Sequence, residues 1–174
     1  MRFFTTTAIV LRRINYSDSD RIYTLLTPDL GKISAIAKGV RKIKSRKAGH
    51  LDLGCIVKVS LAEGKNLHIL TQAETIQTVE FAKGNLKLAN AILEAIESIN
   101  KALYEGQAGS FYYQLYRDFR DNLSFGESID NELLSLYKRL IIHLGLWSDS
   151  FEGKPLSFLR SYFEDTTESK IRIK

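Results

Sequence analysis

The densest chemistry in this chain is a run of cations. Lys38, Arg41, Lys42, Lys44, Arg46 and Lys47 place six positive charges in ten residues, with no carboxylate among them. Such a block repels itself, so it belongs on a solvated loop or along the rim of a groove. Clustered ammonium and guanidinium groups gain affinity for a polyanion by displacing its counterions, which makes the segment a candidate phosphate-binding element. A solvated loop without a ligand is the simpler alternative. Arg12, Arg13, Arg21 and Lys32 would extend the cationic track, and Tyr16 and Tyr23 are rings on which bases could stack.

Groups suited to catalysis do not converge. Asp18 and Asp20 stand two apart in a turn-forming cluster, where holding a hard metal ion competes with capping the local backbone. His50, His68 and His143 share no ligand spacing, and Cys55 opens an alternating segment with no activating neighbour. Neither a phosphate-loop motif nor a Gly-x-Gly-x-x-Gly run is present. A binding protein is expected, not an enzyme, with no metal or other cofactor.

The composition bounds the class. The chain has 174 residues, 44% hydrophobic and 26% charged, enough for one ordinary domain or two small ones with a real core. No run of about 18 apolar residues exists to span a membrane, and Met1 to Thr7 lacks the apolar stretch of a secretory signal. A single cysteine excludes an internal disulfide and a cysteine-cluster zinc site. These features predict a cytoplasmic protein. The net charge of +5 is uneven: residues 1–80 hold 13 Lys and Arg against 7 Asp and Glu, and residues 81–174 hold 12 against 13.

The elements that must position the cations divide at about residue 80. Before it, Thr5–Arg13, Ile22–Thr27, Lys32–Lys38, Cys55–Ala62, Leu67–Leu70 and Ala73–Glu80 read as strands. They are separated by Asn15–Asp20, by Thr27-Pro28-Asp29-Leu30-Gly31 and by Glu63-Gly64-Lys65-Asn66. Short strands between turn signals predict a small barrel of the OB type, whose open face tracks a nucleic-acid strand. After it the period becomes helical. Ala89, Ile92, Leu93, Ile96, Ile99 and Leu103 share one face. A second helix is expected from a Ser110 cap, with Phe111, Tyr112, Leu115, Tyr116 and Phe119 inward. A third is expected from an Asp130 cap, with Leu133, Leu134, Tyr137, Leu140, Ile141 and Leu144 inward. A short fourth follows Gly153-Lys154-Pro155, and a polar tail from Glu164 is expected to fray. The predicted class is α+β: a basic barrel over residues 1–80 and a near-neutral helical domain over 81–174.

The stretch from Ser17 to Leu53 resembles the RecO family of bacterial recombination mediators. Asp18, Asp20-Arg21-Ile22, Leu26-Thr27-Pro28, Leu30-Gly31-Lys32, Ala37-Lys38-Gly39, Arg41, Ser45-Arg46 and Gly49 to Leu51 carry the resemblance, with Leu70 to Glu74 resembling a later barrel segment. It implies an N-terminal OB-fold and a C-terminal helical domain. It also implies binding of single- and double-stranded DNA, annealing of complementary strands, and loading of recombinase on DNA coated by single-strand-binding protein (SSB). The implied partners are the C-terminal tail of SSB, RecR and RecF, at the nucleoid. DNA binding carries over to Lys38, Arg41 and Arg46, then to Arg21 and Lys32, with Lys42, Lys44 and Lys47 in the same block. Lys138, Arg139 and Leu140 are candidates for partner binding from charge and pattern alone. Many relatives carry a four-cysteine zinc module in the helical domain. Leu144 to Pro155 contains no cysteine, so zinc is not expected.

Three other readings compete: an RNA-binding OB protein, a metal-dependent nuclease using Asp18 and Asp20, and a structural adaptor whose basic patch meets an acidic protein. The DNA-binding reading requires the cations around the barrel to converge on one surface, unpaired with carboxylates.

Overall fold

Runs of β-branched and apolar residues form five strands in a computed structural model, which describes residues 2–172. These are β1 (Phe3–Asn15), β2 (Arg21–Thr27), β3 (Gly31–Ala37), β4 (Ile56–Ala62) and β5 (His68–Gln77). They close into a barrel in the order β1-β2-β3-β5-β4, antiparallel throughout except where β3 meets β5. This is the five-stranded OB barrel. Side chains alternate across each strand, and Ala8, Val10, Tyr23, Leu25, Ala35, Val57, Val59 and Leu70 fill the interior. Leu67–Leu70 and Ala73–Glu80, expected as two strands, are one. Irregular pairing at Ser60/Leu61 and Ile56/Val57 lets β5 bend without breaking. It stops at Gln77, and Glu80–Ala82 forms a single 3-10 turn.

Some strand stretches are apolar on both faces, and the helices explain it. Ile9, Leu11, Leu26 and Ile56 point outward from the barrel into the same core as the helical stripes. That core is built by α1 (Leu86–Ala102), α2 (Ser110–Ser124), α3 (Ile129–His143) and α4 (Leu156–Arg172). The class is α+β, as expected from the change of period.

Helix ends correct the sequence reading. Asn85 caps α1, a turn before the apolar stripe begins at Ala89: its side chain accepts hydrogen bonds from the N–H groups of Lys87 and Leu88. Gly109 occupies the cap of α2, so Ser110 is its first helical residue. Ser128 occupies the N-cap position of α3 without a side-chain capping hydrogen bond, and Asp130 lies within the first turn, where a carboxylate faces the positive end of the helix dipole. Tyr113 and Leu136 are buried, while Phe111, Leu134 and Leu144 are half-buried. The fourth helix is not short. Phe163 is buried as its place in the stripe requires, but Thr167 is buried too, beyond Glu164 where fraying is expected, and its hydroxyl donates to the Phe163 carbonyl. The last two residues of the polar tail lie outside the described residues.

Barrel and helices touch through backbone. Gly31, with φ +67°, ends the β2–β3 turn against the segment joining α1 to α2, and a Cβ there would lie 1.9 Å from the Gln107 carbonyl oxygen. A Cβ on Gly109 would lie 2.0 Å from the Thr27 carbonyl oxygen. Tyr116 on α2 reaches the barrel and donates to the Gly54 carbonyl at 2.6 Å. Burial holds that phenol well above its ordinary pKa, so it remains a donor.

Candidate nucleic-acid interface

The basic block forms one wall of a groove of about 970 Å³ on the barrel surface. Thr5 on β1, Ser60 on β4 and Thr71 and Gln72 on β5 line it with uncharged polar groups; the Thr5 and Ser60 hydroxyls are 3.1 Å apart, and Thr71 donates to the Ser60 carbonyl. Lys38, Lys42, Lys44, Ser45, Arg46, Lys47 and His50 come from the β3–β4 loop, and Lys58 from β4.

The loop is stitched down at several points. The Gly39 N–H donates to Asp20 Oδ1 at 2.8 Å, which holds that carboxyl below its ordinary value. The Arg41 N–H donates to the Ser19 carbonyl, and its guanidinium donates to the Ser17 carbonyl. Two turns follow, Lys42 N–H to Gly39 carbonyl and Ser45 N–H to Lys42 carbonyl. Lys47 Nζ then donates to the carbonyls of Lys38 and Leu70, and His50 Nδ1 lies 2.9 Å from the Thr75 hydroxyl. A six-cation block thereby keeps a definite path despite its self-repulsion.

The sequence-predicted residues divide into three sets. Lys38, Lys42, Lys44, Arg46 and Lys47 come together in the groove, and Lys38, Lys42, Lys44, Arg46 and Lys58 form no ion pair among the described residues. Glu74, opposite Lys58 in the β4–β5 ladder, is the one carboxylate among the described lining residues. Lys47 has its ammonium engaged internally, and burial lowers its pKa. Arg41 and Arg21 lie outside the groove, beside the β1–β2 turn, where Arg21 Nε donates to Asn15. Lys32 stands apart from both. It is half-buried at the barrel–helix junction, donates to the Asn100 carbonyl at 2.9 Å, and has its pKa lowered by desolvation. Arg13 pairs with Asp52.

Other expected contacts need correction. Tyr23 is fully buried inside the barrel, so its ring is unavailable for stacking, while Tyr16 is 65% exposed. Asp20 serves as a cap for Gly39, and no group of three His, Cys, Asp or Glu side chains fit to hold a metal exists among the described residues. Leu140 is completely buried and cannot touch a partner. Lys138 pairs with Glu152 beneath the Trp147 ring, and Arg139 pairs with Asp118. Lys58 was missed. The alternation that sends Val57 and Val59 inward puts Lys58 on the outer face, so the signal was present.

Comparison with known proteins bears on this geometry. Residues 1–79, the segment holding the whole groove, match the family described as Recombination protein O N terminal. A protein named DNA repair protein RecO from Dehalococcoides mccartyi (strain CBDB1) is 40% identical over 128 residues, covering 74% of this chain and 48% of the relative. The chain belongs to the RecO family. A RecO protein from Roseiflexus sp. (strain RS-1) is 32% identical over 87% of this chain and 53% of its own length. One from Acetivibrio thermocellus is 26% identical over 94% of this chain and 69% of its own. The chain spans about half the length of the first two RecO relatives. Among the described residues, no helix is long and apolar enough to cross a membrane.

Proposed function

We propose that this chain acts in DNA repair as a recombination mediator that binds DNA and catalyses no covalent step. The observation that carries the reading is the groove: cations from one tethered loop and from Lys58, in no ion pair among the described residues, face a floor of hydroxyls. Such a surface engages phosphates and leaves base identity unread, which suits single and double strands of any sequence. Lys38, Lys42, Lys44, Arg46 and Lys58 contact phosphate. Arg21 and Arg41 meet a strand only where it leaves the groove past the β1–β2 turn, and Lys32 and Lys47 support the fold.

Annealing follows from charge. Covering phosphates on two strands lowers their mutual repulsion and lets complementary bases meet. The helical segment, residues 81–174, supplies the surface for protein partners: the SSB tail, RecR and RecF, with recombinase loading on SSB-coated DNA as the outcome. The setting is the cytoplasm, at the nucleoid.

Lys44→Glu combined with Arg46→Glu tests the groove. A titration with oligothymidine at several salt concentrations should show weaker binding. The slope of log affinity against log salt should flatten by about 1.4, at roughly 0.7 per lost phosphate contact on single strands. Unchanged affinity and slope would refute the groove. A matched RNA oligonucleotide binding more tightly than DNA would favour the RNA-binding reading. Fluorescence-monitored annealing of complementary strands, with and without SSB, tests the mediator role.

A further inference from the structure

A second row of residues runs beside the groove on the outside of the barrel. Around the closed sheet, Phe3 pairs with Ala62, Ala62 with Ile69, Ile69 with Ile36, Ile36 with Ile22, and Ile22 with Ile14. Their neighbours Leu61, Leu70, Ala35 and Tyr23 fill the barrel interior, so alternation turns the row outward. Six apolar residues thus stand in register across every strand, outside the two large core clusters; Ala62 and Ile36 are buried, and Phe3, Ile69, Ile22 and Ile14 offer the accessible surface of the row. Phe3 is 66% exposed and Ile14 46%, with Ile22 and Ile69 half-buried between them.

The row's position says what covers it. Thr5, Ser60, Thr71 and Lys38 lie two residues along the strands from Phe3, Ala62, Ile69 and Ile36, and all four line the cationic groove. Two residues of a strand span about 6.6 Å. A phosphate-attracting row and an apolar row therefore run side by side, and the apolar row contains no charged residue. A ligand that follows both must be anionic along one edge and apolar along the other. A single nucleic-acid strand has that form, because its unpaired bases expose their faces beside the phosphates.

We propose that this apolar row is a base-contacting platform for single-stranded DNA whose phosphates occupy the groove, an inference that rests on the groove reading above. Aliphatic side chains cover the face of any base, and Phe3 adds a ring for stacking. A duplex hides its base faces in its own stack, and parting them costs more than covering a few side chains returns. The groove then serves both forms of DNA, and the row adds affinity for single strands alone.

Phe3→Ala and Ile14→Ala, both at exposed positions, test this separately and together in the full chain. Binding is measured to oligothymidine and to a duplex of equal length, with folding checked by circular dichroism. The double variant should bind the single strand about tenfold more weakly. Its duplex affinity should change less than about twofold. In addition, 2-aminopurine in the single strand should change fluorescence with the wild-type chain and less with the variant. Equal binding of the single strand by variant and wild type would overturn the platform, as would an equal loss on both ligands. Lys44→Glu with Arg46→Glu, run in parallel, separates the failures. If that variant weakens both ligands while the alanine variants weaken neither, the platform alone falls; if it weakens neither, the groove reading falls with it.

Discussion

Lys32 and Lys44 carry the same charge and are put to opposite uses by their surroundings. Lys32 donates to a helix carbonyl in a half-buried junction, where desolvation opposes its charge. Lys44 is exposed on the groove wall. Replacing Lys32 with Ala leaves the Asn100 carbonyl without its donor, and denaturant unfolding should show a loss of about 1–3 kcal/mol with DNA affinity unchanged. Lys44→Ala should do the reverse. If Lys32→Ala weakened DNA binding as much as Lys44→Ala, the division of the cations would be wrong. Asp20 sets a second residue-scale outcome. Its carboxylate is stabilised in the folded chain chiefly by the Gly39 N–H, so its pKa lies below the ordinary 3.8. A depressed carboxylate contributes while ionised, so its contribution is present above that value and is lost only as pH falls through the lower, folded one. The Gly39 amide resonance, followed by NMR, should hold its position on acidification to about pH 4 and move only below it. At neutral pH, Asp20→Ala should release the anchor, seen as faster exchange of the Gly39 and Arg41 amides.

Elements follow from the sequence where local chemistry decides, and elude it where distant backbone decides. Strand alternation, the Gly31 turn and the helical stripes were legible because each is a pattern within about ten residues. The start of α3 was misplaced because Ser128 and Asp130 are both acceptable caps, and local propensity does not rank them. The length of α4 was missed because the segment after Phe163 is polar, and the burial of Thr167 within it is not a pattern that local sequence carries. So was the network in which Arg160 on α4 and Tyr137 on α3 both donate to Glu94 on α1, with Tyr137 pushed up to about 12 mainly by burial. In the site, the cationic loop was evident from composition. Its tethering was not, nor was the diversion of Lys32 and Lys47 to carbonyl oxygens. Glycine gives the element scale its test. Gly109 is needed for space, since its missing Cβ admits the Thr27 carbonyl. Gly109→Ala should push the β2–β3 turn off the helices and cost about 1–3 kcal/mol in chemical denaturation. Gly126→Ala meets no atom within 4 Å, so its cost should come from the positive φ of +90° alone and be confined to the end of α2.

At the scale of the whole molecule, the question is whether a barrel and a helical unit behave as two bodies or one. The composition divides them near residue 80, with basic charge on one side and near neutrality on the other. The packing does not respect that line. Ile9, Leu11, Leu26 and Ile56 belong to the barrel by chain and to the helical core by contact. Tyr116 to Gly54, Lys32 to Asn100 and Arg120 to the Thr78 carbonyl add three hydrogen-bonded crossings. Unfolding the helices alone would expose four apolar barrel side chains, each costing about 1.5–3 kcal/mol to return to water, and would strand buried carbonyls as well. That penalty rivals the 5–15 kcal/mol that typically holds an entire domain together, so a state with strands intact and helices melted should not accumulate. Helical ellipticity at 222 nm and hydrogen exchange of the β4 amides should therefore lose protection at the same denaturant concentration. Protected strands surviving beyond the helical transition would mean that the shared core contributes little and that the two units are coupled only through the chain. A single transition has a consequence for DNA binding: a ligand that holds the groove stabilises the helices by mass action. Saturating oligothymidine should then raise the midpoint seen at 222 nm, although the groove lies wholly within residues 1–79.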